Sequence, residues 1–169
     1  MISEGLFKEL NSQTNYEFAS AHLYLAMQAY CEAQDLPGFS NFFKVQVEEE
    51  KFHAMRFFNY INQMNGRVII TSINEPQNEF GSMLELFKET LKHEQEITQR
   101  IYNLMNIATE EREHATISFL KWFIDEQVEE ETTVTNVIKR LERIGDDPAA
   151  LYMLDQELAQ RTFTPPTTV

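Results

Sequence analysis

The stretch Glu48-Glu49-Glu50-Lys51-Phe52-His53 lies near the middle of a long helical pattern and puts charged groups where a bundle of helices needs an apolar core. A buried carboxylate without a partner is costly or becomes protonated. The inward row of this pattern, taken in steps of three and four residues, is apolar toward both ends and polar at its centre. That row reads Phe39, Phe43, Gln46, Glu50, His53, Phe57, Tyr60, Met64.

Three further helical patterns carry the same interruption at the same depth. Their inward rows are Leu10, Thr14, Glu17, Ala21, Tyr24 in the first pattern, Leu84, Phe87, Leu91, Glu94, then Ile97 or Thr98, then Ile101 in the third, and Leu120, Phe123, Gln127, Glu130, Val134, Val137, Leu141 in the fourth. The midpoints of packed helices meet whichever way each helix points. We therefore expect six polar side chains to converge on one level: Glu17, Glu50, His53, Glu94, Gln127 and Glu130.

This convergence favours a metal site over isolated buried polar groups. A single inward glutamate could equally bond a neighbouring Tyr or Lys, and a single core histidine is usually satisfied without a metal. Four helices interrupted at one depth are a different case. Four carboxylates and one imidazole suit ferrous iron or manganese, and could also hold zinc. Two metals bridged by a shared carboxylate would use all the ligands.

The connections between the patterns predict the topology. Helices are expected roughly from Leu6 to Ala33, from Phe39 to Asn65, from a cap at Ser82 to Thr109, from His114 to Ile144, and from a cap at Asp147 to Gln160. The link over residues 66–81 includes a β-like run at 67–71. About 15 extended residues span roughly 50 Å, enough to run along a helix of about 42 Å. The fold class is thus all-α: a four-helix bundle with one long crossover between helices two and three, plus a short fifth C-terminal helix.

Composition limits the partners. The chain has 169 residues, 27 acids against 14 bases, and a net charge of −13, which disfavours a nucleic-acid surface. Its single cysteine excludes an internal disulfide framework. No signal-peptide pattern and no apolar run of about 18 residues is present, so we expect no membrane partner and a cytoplasmic location. One domain over residues 1–160 and a flexible tail over 161–169 are predicted.

With these features the sequence resembles the bacterial non-haem ferritins, a family of ferritin-like di-iron carboxylate proteins, to about Leu158. Matching segments occur on all four helices: Asn15-Tyr16-Glu17, Glu48 to His53, Lys92-His93-Glu94-Gln95 and Trp122 to Glu131. The resemblance implies an iron-storage protein with ferroxidase activity. Such a protein oxidises Fe(II) with dioxygen, its two substrates, and keeps the Fe(III) mineral inside a homo-oligomeric shell of about two dozen subunits.

The resemblance also implies a role for each candidate residue. Glu17, Glu50 and His53 would hold the first iron. Glu50, Glu94 and Glu130 would hold the second, with Gln127 lining that position. Tyr24 would lie beside the first iron. A third iron site toward the inner cavity would use Glu130 together with Glu49, Glu126 and Glu129.

Two departures argue against haem and against bacterioferritin. Bacterioferritins repeat Glu-x-x-His on a second helix, where this sequence has Gln127-x-x-Glu130. They also bind haem through a methionine after the first metal glutamate, where this sequence has Lys51. Bacterioferritin is therefore a minor rival. Two more rivals are a di-metal carboxylate oxidase or peroxidase on the same fold and a non-catalytic bundle with solvated acids.

Overall fold

The computed structural model describes residues 2–166, and these residues form five helices and no strand. The helices are α1 (Glu4–Ala33), α2 (Pro37–Gln63), α3 (Met83–Glu110), α4 (His114–Ile144) and α5 (Pro148–Leu158). The predicted all-α fold class is confirmed. No helix in the described part of the chain is long and apolar enough to cross a membrane. Residues 167–169 of the predicted flexible tail lie outside the described range.

Side-chain contacts along the bundle establish the direction of each helix. The start of α1 meets the end of α3, where Ser3 Oγ donates to Glu111 Oε1 at 2.6 Å. The start of α3 meets the end of α4, where Lys88 Nζ lies 3.3 Å from Glu142 Oε1. Helix α1 is therefore antiparallel to α3. It is also antiparallel to α2, which follows after a short turn. Helices α2 and α3 are consequently parallel, as the single crossover requires.

The crossover lies along α1, and two asparagines of that helix fix it. Asn11 bonds the backbone of Arg67 and Ile69, with a distance of 2.7 Å from the Ile69 N–H to Asn11 Oδ1. Asn15 bonds Ile69 O at 2.8 Å and the N–H of Thr71 at 2.8 Å. The run at 67–71 is β-like in sequence, but it forms no strand in the described part of the chain. The asparagine amides satisfy its backbone instead.

Helix α5 docks on α2 through an unusual cap. Leu36 precedes α2 and supplies no side-chain cap. Asp155 of α5 does so instead, because its Oδ1 accepts from the N–H groups of Gly38 at 2.8 Å and Phe39 at 3.0 Å. A Cβ at Gly38 would lie 1.6 Å from Asp155 O, so only glycine allows this approach. The contact fixes α5 against the start of α2.

The core is divided by a polar layer, as the inward rows predict. One apolar cluster contains Tyr24, Phe39, Phe43 and Phe87. The other contains Leu10, Phe57, Ile97, Leu120 and Phe123. The polar level of all four long helices lies between the two clusters.

Candidate metal centre

All six side chains expected at one level are buried within the bundle. Glu17, Glu50 and Glu94 have no exposed surface, and His53, Gln127 and Glu130 are between 2% and 4% exposed. Each lies in the middle of a long helix that has one end in each of the two apolar clusters. The packing on both sides therefore fixes the depth of this layer.

One group of ligand atoms is formed by Glu17, Glu50 and His53, and these atoms lie within 4.8 Å of one another. His53 Nδ1 is 3.6 Å from Glu50 Oε2. Glu17 Oε2 and both oxygens of Glu50 are buried without a hydrogen-bond partner. Buried carboxylate oxygens are normally paired, because an unmade bond to a charged group is expensive. A cation bound here would supply the missing partner.

A second group shares the same histidine. His53 Nε2 is 3.8 Å from Glu126 Oε1, and the atoms of His53, Glu126 and Glu130 lie within 4.8 Å of one another. Glu126 is only partly buried, with 22% of its side chain exposed. The imidazole thus faces a carboxylate on each side, so one nitrogen is available to each group.

Glu94 is engaged differently from the other acids. It accepts a short hydrogen bond from the Tyr24 hydroxyl, and Gln127 Nε2 donates to its Oε2 at 3.2 Å. Tyr24 therefore contacts Glu94, which the resemblance assigns to the second iron. The same Gln127 amide donates to Glu94 O at 3.1 Å, which ties α4 to α3 at this level.

Two glutamines orient the carboxylates, although neither was expected among the site residues. Gln13 Nε2 donates to Glu17 Oε1 at 2.8 Å, and Arg100 Nε donates to Gln13 Oε1 at 2.8 Å. Gln46 Nε2 donates to Glu130 Oε2 at 3.0 Å. Each carboxylate keeps its other oxygen for a ligand. Gln46 stands on the inward row and Gln13 lies one helical turn before Glu17, so a search for amides one turn from each acid would have found Gln13.

Burial and mutual repulsion raise the pKa values of these acids. Burial, with the charge of Glu130, raises the pKa of Glu94 to about 8. Burial raises the pKa of Glu50 well above its usual range, although His53 opposes the shift. Burial lowers the pKa of His53, but the neighbouring carboxylates of Glu126 and Glu50 raise it well above its usual value. The metal-free site therefore holds protons near neutral pH, and a cation displaces them on binding.

The residues expected at a third site are placed unequally. Glu126 points toward His53, as described above. Glu49 Oε2 instead pairs with Arg161 Nη2 at 2.9 Å. Glu129 is exposed on α4. Only one of these three acids thus belongs to a group of converging ligand atoms in the described residues.

Residues 7–144 match the family model for the ferritin-like domain. The chain belongs to the ferritin-like family. It is 48% identical over 163 residues to a bacterial non-heme ferritin of Staphylococcus aureus, covering 96% of this chain and 98% of that one. A bacterial non-heme ferritin of Staphylococcus epidermidis is 47% identical over the same length, with the same coverage. The expected resemblance to bacterial non-haem ferritins is confirmed.

Solved ferritin structures share the fold of this ferritin-like chain. An engineered closed form of the Archaeoglobus fulgidus ferritin has a TM-score of 0.95 and 43% identity, covering 97% of this chain and all of that one. The open-pore ferritin from the same archaeon has a TM-score of 0.95 and 41% identity, with 96% and 100% coverage. The one-crossover bundle and its fifth helix are therefore shared with ferritins.

Proposed function

We propose that this ferritin-like chain is a subunit of an iron-storage protein that oxidises Fe(II) with dioxygen at the buried carboxylate centre. The observation that carries the proposal is the set of buried carboxylate oxygens without partners, on Glu17 and Glu50, beside His53. Hard oxygen ligands with one imidazole suit iron. The similarity to bacterial non-heme ferritins supports iron over the other metals that such ligands could hold.

In this proposal Glu17, Glu50 and His53 bind the first ferrous ion. Glu50, Glu94 and Glu130 bind the second, so Glu50 bridges the two positions. A spacing of about 3.5–4 Å, usual for two-metal sites, lets one dioxygen molecule take one electron from each ion. The carboxylates stabilise the ferric product, because Fe(III) is a harder and more highly charged cation than Fe(II).

The surrounding side chains hold the ligands in position, and one ligand releases a proton when iron binds. Gln13 holds Glu17 in place, and Gln127 with Tyr24 holds Glu94. Outer hydrogen bonds of this kind orient ligands and tune their basicity. Because the pKa of Glu94 is about 8, loading the second position near neutral pH releases a proton. Iron binding should therefore tighten as the pH rises.

Storage further requires a shell, which we propose is a homo-oligomer of about two dozen copies with closed symmetry. Helix α5 offers an apolar contact for such an assembly. Leu154 and Leu158 of this helix pack into the chain's own core, but Tyr152 and Met153 are 65% and 72% exposed. Exposed large apolar side chains next to each other favour a subunit contact.

Aerobic loading tests the storage proposal against a di-metal carboxylate oxidase on the same fold. Ferrous salt would be added in small steps, well past about two ions per chain, and the product separated by size. The storage proposal predicts that iron continues to co-elute with protein at the size of a large assembly. Uptake that stops near two ions per chain, or a protein of single-subunit size, would support the oxidase instead.

A further inference from the structure

Arg161, just beyond α5, forms an ion pair with Glu49, a carboxylate next to the candidate metal centre. Its Nη2 pairs with Glu49 Oε2 at 2.9 Å, and its Nη1 donates to Phe42 O at 3.3 Å. The guanidinium carbon lies 4.4 Å from the centre of the Phe42 ring. The side chains of Arg161 and Glu49 are only 22% and 15% exposed. The arginine is thus held by a carboxylate, a carbonyl and an aromatic face together.

The backbone around Arg161 is fixed to α2 as well. Asn41 Nδ2 donates to Leu158 O at 3.0 Å and to Arg161 O at 2.9 Å. The ring of Phe163 packs against Phe52 with 5.7 Å between centroids. Together with the cap that Asp155 gives α2, these contacts hold the Arg161 guanidinium in one position. The pair therefore differs from an exposed ion pair between two mobile side chains.

Glu49 directly precedes the bridging residue Glu50 and lies on the side of the centre that Glu126 enters. Without Arg161, this partly buried acid would face the acids Glu126 and Glu130, with His53 as its remaining favourable partner. The guanidinium supplies a permanent positive charge at the carboxylate where a metal cation would otherwise bind. A metal ion and the guanidinium therefore compete for the same oxygens.

We propose that Arg161 is a resident counter-cation that holds Glu49 away from metal ions, so that a cation recruits Glu49 only by displacing the guanidinium. The proposal rests on the proposed iron function, because it describes how one acid of that centre is regulated. Arg161 is a positioning residue and touches no substrate. Displacement favours cations of higher charge, because their attraction to the carboxylate exceeds that of the single guanidinium charge.

Terbium(III) alone is the probe, because it prefers oxygen ligands and binds without any oxidation. Trp122 is the only tryptophan of the chain, and its ring lies 5.5 Å from that of His53. Luminescence excited through Trp122 therefore reports terbium bound near the centre and ignores distant acidic surface sites. The full-length, metal-free assembly would be titrated at constant pH and ionic strength.

Arg161→Gln should tighten terbium binding about tenfold, the scale of effect known for outer residues of metal sites. Arg161→Lys keeps the charge and should bind like the wild type. Arg140→Gln is the matched control, because Arg140 forms a similar ion pair with Glu157 at 2.6 Å on the exposed surface. It should leave the affinity unchanged.

Glu49→Gln completes a double-mutant cycle from the α2 side of the ion pair. With Arg161 present, it should change terbium affinity little. In the Arg161→Gln background it should remove the tenfold gain. An equal gain in terbium affinity when Glu49 is absent would overturn the proposal. Unchanged or weaker terbium binding in Arg161→Gln, with the assembly intact, would overturn it as well. Because terbium is not oxidised, the cycle can fail while ferrous oxidation succeeds, and the reverse, so the two proposals are tested separately.

Discussion

Replacing Glu94 by glutamine should stabilise the metal-free protein, and the gain should grow as the pH rises. Burial and the charge of Glu130 raise the pKa of Glu94 to about 8 from its ordinary 4.5. Between these two values the folded chain keeps a proton that the unfolded chain loses. Wild-type stability therefore falls as the pH rises through this window. Glutamine does not titrate, so the variant escapes this loss.

The size of the effect follows from the displaced pKa. At about 1.4 kcal/mol per pH unit, the wild type loses at most about 3 kcal/mol between about pH 5.5 and pH 8. For a chain of this length that corresponds to about 6–12 °C in melting temperature. The melting temperatures of variant and wild type would be compared at both pH values, in metal-free buffer. Any fixed cost of the new amide cancels in this comparison.

Glu89→Gln is the matched control, because Glu89 is exposed on the same helix, α3. Its difference from wild type should stay the same at both pH values. A Glu94→Gln difference that is likewise independent of pH would show that Glu94 is ionised throughout the window and that its pKa is not raised. The metal-free fold would then tolerate a charged Glu94 in its polar layer without a cation to offset that charge.

Four further variants test the positions of the ligands and the assembly. Gln13→Ala should weaken anaerobic ferrous binding at the first position about tenfold, because Glu17 loses its hydrogen bond; unchanged titration curves would contradict this. Glu17→Ala should remove mainly one binding step and Glu50→Ala both, so equal losses in calorimetric titration would argue against a bridging Glu50. Changing Tyr152 and Met153 together to Ser should reduce the assembly mass in light scattering, since both are exposed; an unchanged mass would remove that role from α5.

Much of the fold can be predicted because each helix carries its own boundaries. Helix α4 runs from His114 to Ile144 in the structure, as its periodicity predicts. The start of α2 at Pro37 depends on more than its own sequence. The cap that stabilises this start comes from Asp155, which is 117 residues away from Gly38. No local pattern announces such a contact.

In the candidate site, too, helical periodicity predicts some positions, whereas contacts between residues far apart in the sequence determine others. The inward rows place Glu17, Glu50, His53 and Glu130 together, because helical period and depth are local properties. The pairing of Glu49 with Arg161 depends on where the chain goes after α5, which periodicity does not encode. The contact of Tyr24 with Glu94 depends on how α1 packs on α3. Predictions from rows of residues therefore identify a buried level but not the partner of each group.

We propose that the buried acids form an iron-oxidising centre, and the rate of oxidation of bound iron measures this activity. Metal-free protein would be titrated with ferrous iron without oxygen and then mixed rapidly with oxygenated buffer. The wild type and Glu48→Ala, a change to an exposed neighbour, should both show a fast phase that consumes about two irons per chain. Glu50→Ala should lack that phase. A fast phase that persists in Glu50→Ala, or one that is absent from the wild type, would contradict the account.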